Sequence, residues 1–120
     1  MYINRTAVVI KAKQPLVNWI NSTPKAQEEK GHVFTLAEVN EDCEVLLLPD
    51  FDTIEEVMEQ LRPLKTEIFE DALDEWQTEE KFWPQNRSEE VFDTWFGLEI
   101  HSMVDDTVDE PIERDESDEE

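Results

Sequence analysis

Residues 5–13 read RTAVVIKAK, with an uninterrupted apolar centre from Ala7 to Ile10. Three of those four residues are β-branched, and such a run favours a buried strand with solvated ends. Gln14-Pro15 follows at once. Proline tolerates the first turn of a helix, where its missing N–H is no loss, so a helix is expected there with Leu16, Val17, Trp19 and Ile20 inward. Asn21 to Pro24 ends it, and the polar residues 25–33 form a loop.

The rest of the chain repeats the alternation. Thr35 with Glu38 has the spacing of a capping box and predicts a short helical turn over 35–39. CEVLLLP (43–49) is a second apolar strand stopped by Pro49, and Thr53 with Glu56 is a second capping box. Apolar residues at 54, 57, 58 and 61 mark one helix face until Pro63 breaks it; a helix of about three turns resumes with Leu64, Ile68, Ala72 and Trp76, flanked by Phe69 and Leu73.

Residues 77–87 are irregular around Trp83-Pro84. Ser88 then caps a helix whose first turn holds Glu89 and Glu90, with Val91, Phe92, Trp95 and Phe96 inward and Gly97 as terminator. LEIHSMV (98–104) alternates as a half-buried strand does. The order β-α-β-α-α-α-β predicts an α/β (or α+β) domain: a small sandwich of about three strands with helices mainly on one face. The two continuous apolar strands are expected to be central, with the alternating third strand at an edge.

Length and charge set the outer limits. One domain over residues 1–105 accounts for most of the apolar residues; 106–120 holds nine carboxylates in fifteen residues and is expected to be a disordered tail. The net charge is −22, and it is uneven: residues 31–104 hold twenty carboxylates against Arg62, Lys65, Lys81 and Arg87. Such a surface repels phosphate backbones and anionic lipids, so direct binding to nucleic acid or membrane is disfavoured and a basic protein is the expected partner. A lone cysteine, Cys43, and the absence of a signal-type or membrane-spanning run fit the cytoplasm.

NRTAVVIKAKQPLVNWIN near the start, and WPQNRSEEVFDTWFGLEIHSMVDD followed by DEPI near the end, resemble a small family of uncharacterised bacterial proteins of similar length. The resemblance implies a compact bacterial cytosolic domain and brings no activity, cofactor or catalytic residue.

Little catalytic chemistry is legible. Cys43 lies between Asp42 and Glu44, whereas reactive thiols need electropositive surroundings. His101 and Ser102 are strand neighbours pointing to opposite faces. With Gly31 and Gly97 the only glycines, there is no phosphate-cradling loop, and no cofactor is indicated. Asp50, Asp52 and Glu55, with His101, are the alternative: a divalent-metal site, or a metal-dependent hydrolase, against the simpler role of capping a helix.

The primary reading is a non-enzymatic interaction or regulatory protein presenting an acidic face to a basic protein partner. Asp71, Asp74, Glu75, Glu89, Glu90 and Asp93 would form the charged rim. Trp83 either plugs the end of the core or anchors the partner.

Overall fold

The computed structural model describes residues 1–24, 26 and 32–115. The expected loop over 25–33 and the last five residues of the expected tail therefore lie largely outside the described residues. The elements run β1 (Arg5–Ala12), α1 (Gln14–Ser22), α2 (Leu36–Val39), β2 (Glu44–Pro49), α3 (Ile54–Leu61), α4 (Lys65–Trp76), α5 (Glu89–Trp95) and β3 (Phe96–His101), with short 3₁₀ turns at Arg62–Leu64 and Glu80–Phe82. This is a small α+β fold built on a three-stranded antiparallel sheet in the order β2-β1-β3.

Only β1 is central. The continuous apolar run of β2 occupies an edge, where Leu48 is buried while Val45 and Leu47 remain about half exposed. Expecting β2 in the centre therefore fails, for a topological reason. β1 pairs antiparallel on both sides, Val9 facing Val45 and also Glu99, which leaves each partner with one open flank.

Helices cover one face of the sheet. Thr6, Val8 and Ile10 of β1 point into the core with Leu48, Leu98 and Ile100; Ala7, Val9 and Lys11 point the other way. Inside, Phe69 of α4 meets Phe96 at 5.2 Å and Trp95 at 5.4 Å between ring centroids, and Phe92 stacks on Phe96 at 4.8 Å. The aromatic residues of α5 and β3 thus close the core, each burying a large apolar area.

Local signals account for the helix ends. Thr35 and Glu38 form the full reciprocal box, while Thr53 and Ser88 accept the backbone N–H of Glu56 and Val91. Pro63 sits in the 3₁₀ turn that separates α3 from α4.

Two expectations need correction. Ile54 is exposed rather than inward, because α3 rests on Val57 and Leu61, with Met58 partly buried beside them. Gly97 is not a helix terminator. The chain leaves α5 at Phe96 in extended geometry (φ −130°, ψ 145°) and Gly97 is the second residue of β3, so that strand begins two residues early and ends at His101. Beyond it Ile3 N–H donates to the Val104 carbonyl and Asp106 N–H to that of Met1, carrying the β1 side of the ladder outward. Residues 107–115 form no helix or strand.

Candidate functional site

The face expected to dock a partner divides around α4. At its start Lys65 is buried, 3% exposed, the unforeseen charge of the core. Its Nζ donates to Glu89 at 2.9 Å and to Asp93 at 3.0 Å, and lies 5.5 Å from the centre of the Phe92 ring. Arg62 Nε adds a 3.7 Å ion pair to Glu89. Burial pulls the Lys65 pKa down, but the hydrogen bonds and charges of Glu89 and Asp93 outweigh it, and the net shift is upward. Two of the six expected rim carboxylates are thus held by a cation of their own chain. Glu90 projects from the same first turn of α5 with no ion pair, and Asp74 likewise has none among the described residues.

Trp83 is half-buried. Its Nε1 donates to the Gln77 carbonyl at 2.7 Å, and the Arg87 guanidinium lies 5.7 Å from its ring. Arg87 in turn bonds Glu70 and the Pro84 carbonyl, so the 77–87 segment closes on itself around this indole. The side chain packs against the core and keeps part of its surface open.

Further along α4 the surroundings change. A cleft of about 80 Å³ opens between α4, the start of β2 and the segment after α2. Ile10, Leu16, Ile68 and Trp76 are among its apolar lining; Asp42, Glu44, Asp71 and Glu75 contribute carboxylates. Asn40 fixes one wall. Its side-chain amide pairs with the backbone of Ala12 in both directions, accepting at 2.8 Å and donating at 3.1 Å, and so continues the β1 ladder where β2 stops. Cys43 also lines the cleft, its Sγ 3.3 Å from the Asn40 carbonyl oxygen.

None of these four carboxylates makes an ion pair among the described residues. Partial desolvation raises the pKa of Glu44, and the charges of Asp71 and Glu75 raise it further. Asp71 is raised by desolvation first, then by Glu67, Asp74 and Glu70. Of the carboxylates that add to desolvation at Asp71, Glu67 and Asp74 lie about one helical turn away on α4, where a like-charge pair costs about 0.2–0.5 kcal/mol.

The metal alternative gains no geometry. Asp50, Asp52 and Glu55 stay at the entry to α3, and His101 stands exposed on the sheet, 3.7 Å from Glu99. Among the described residues no group of three or more His, Cys, Asp or Glu side chains is arranged to hold a metal ion. None of the helices among those residues is long and apolar enough to cross a membrane.

Searches for relatives return nothing. No family model, no curated protein and no solved structure matches the chain. The site therefore has to be read from its own residues.

The sequence already placed Asp71 and Glu75 on one helix face. It missed Asp42 and Glu44 as their companions, although both were visible as the acidic neighbours of Cys43. It also missed Lys65, whose position three and four residues before Ile68 and Phe69 was the available signal.

Proposed function

We propose that this is a non-enzymatic interaction or regulatory protein whose acidic α4 side receives a basic protein partner. The observation that carries this reading is the cleft. It joins four carboxylates that have no counterion among the described residues to an apolar lining that includes Trp76. A lysine or arginine side chain has matching chemistry, an aliphatic stem to lie on apolar walls and a charged head for the carboxylates. Binding such a group offsets the like-charge repulsion that adds to desolvation in raising Glu44 and Asp71, so that part of the free protein's electrostatic strain contributes to the affinity. Glu90 and Asp74 extend the acidic surface beyond the cleft, while Glu89 and Asp93 hold α5 to Lys65.

A pull-down from native lysate at low salt, eluted with a salt gradient, tests this. The expected result is one basic protein released at a defined salt step. Its retention is lost with Asp71→Asn/Glu75→Gln and kept with Glu55→Gln, which removes the same kind of charge away from the cleft. Recovery of a broad set of basic proteins, indifferent to the position of the neutralised carboxylates, would reduce the acidic surface to general solvation.

A further inference from the structure

The outer edge of β2 borders the cleft, and the alternation of the sheet fixes which of its backbone groups are unpaired. Lys13 N–H donates to the Trp95 carbonyl, continuing the Lys11–Gly97 register, so odd-numbered residues of β1 bond toward β3 and even-numbered ones toward β2. The Asn40 side chain gives the same parity, pairing with Ala12 on the β2 side. Ile10, Val8 and Thr6 therefore exchange their bonds with Glu44, Leu46 and Leu48. The backbone N–H and C=O of Val45 and Leu47 point outward and meet no partner among the described residues. Exposed edges are ordinarily blunted by a charge, a proline or a bulge. Val45 to Leu48 carry none of these, and the acidic residues stand at the ends instead, Asp42 and Glu44 before the run and Asp50 and Asp52 after it.

We infer that the basic partner proposed above arrives as an added β-strand along the free edge of β2, an extended segment whose lysine or arginine enters the cleft; this rests on the cleft being that partner's site. An extended backbone is the chemistry that meets alternating N–H and C=O groups along a strand. Charge decides whose backbone it is. A second β2, antiparallel with Val45 opposite Leu47, would set Asp42 of each copy against Asp50 of the other. A basic segment instead finds carboxylates at both ends that make no ion pair among the described residues. The β3 edge alternates in the same way, but the one carboxylate in its span is Glu99, already held by Lys11 at 3.3 Å.

Antiparallel addition translates into a sequence pattern. Partner residues paired with Leu47 and Val45 share the open face of the sheet with these two half-exposed side chains, and are apolar and best β-branched. The partner residue opposite Glu44 points to the helical side, where the charges of Asp71 and Glu75 act on Glu44. In the partner's N-to-C direction the pattern is apolar, any residue, apolar, then lysine or arginine.

The test is a synthetic peptide of alternating valine and threonine with lysine placed by that pattern, titrated into the full chain by calorimetry. The expected result is binding that slows amide hydrogen exchange at Val45 and Leu47 by about tenfold or more. N-methylating the two valines that face them, which removes the peptide's donors to the edge, weakens binding to a similar degree. So does Val45→Pro, which deletes an outward N–H and spares the ladder to β1. Asp71→Asn/Glu75→Gln also weakens it, and a peptide with glutamate for lysine does not bind. Failure of the lysine peptide to bind would overturn the inference. Equal binding of the N-methylated peptide, lost only with Asp71→Asn/Glu75→Gln, would overturn the added strand and leave the cleft as the basic partner's site. Binding that needs the N–H groups yet ignores Asp71→Asn/Glu75→Gln would overturn the cleft reading and the lysine's place with it. Self-association of the chain alone, blocked by Val45→Pro, would make a second copy the occupant and overturn the inference too.

Discussion

The two sides of α4 solve the same electrostatic problem in opposite ways. Where α4 meets α5, Lys65 and Arg62 supply counterions and the carboxylates become structural, tying one helix to the next. Where α4 meets the start of β2, Asp71 and Glu75 face Glu44 with no paired cation among the described residues, and the pKa values of Glu44 and Asp71 rise. The difference shows that acidity in this chain has two meanings. One set of carboxylates is spent on folding, and another is left strained at an open cleft, where an outside cation is stabilising.

Breaking the compensated side has the largest effect. Lys65→Ala removes a buried stem, leaves Asp93 without its cation and leaves Glu89 with Arg62 alone. Because both carboxylates are about half exposed and can rehydrate, the expected loss is about 2–3 kcal/mol, a fall in Tm of roughly 10–20 °C by thermal circular dichroism. Lys65→Met keeps the packing over Phe92 and discards only the charge. Its expected loss is about 1 kcal/mol, so the gap between the two variants measures the packing share. Since the folded pKa of Lys65 is raised, its contribution is fully present at neutral pH and is lost only as pH climbs through the alkaline lysine range.

Relieving the uncompensated side works in the other direction. Glu44→Gln is expected to stabilise the protein by about 0.5 kcal/mol, or 2–4 °C, at neutral pH, a modest figure because the carboxyl keeps much of its contact with water. A carboxylate whose folded pKa is raised favours the fold in acid, and that advantage disappears as pH rises through the folded value. The stabilising effect of Glu44→Gln therefore fades when Tm is measured at about pH 3, where wild type is already protonated. The smallest effect is the salt response. Raising sodium chloride to about 0.5 M lifts the wild-type Tm by a few degrees, and Asp71→Asn/Glu75→Gln takes back part of that gain.

Elements whose signals are local were legible beforehand. Thr35, Thr53 and Ser88 mark helix starts through bonds made within three residues, and the alternation of Leu98, Glu99 and Ile100 survives in β3. What depends on distant partners was not. An apolar run such as Val45–Leu48 fits a central strand or an edge equally well, and only the pairing of β1 on both sides decides. Gly97 reads as a helix end until one knows that Lys13 crosses it and Lys11 stands opposite. The burial of Lys65 needs Glu89 and Asp93, more than twenty residues away in sequence, to make it tolerable. Half of the cleft, Asp71 and Glu75, lay on a readable helix face; the other half arrived only through the sheet.

The central place of β1 has a kinetic consequence. Its partner on one side begins only at Glu44 and on the other only at Phe96, so neither ladder closes through a short hairpin. Closing such long loops costs entropy before any pairing repays it, and folding dominated by distant contacts is slow. Until Phe96–His101 docks, the AVVI run of β1 has an unpaired flank, and the half-built sheet is the species most prone to join a neighbour. The same carboxylates that strain the native cleft then act as a guard, holding incomplete molecules apart while the last strand finds its place.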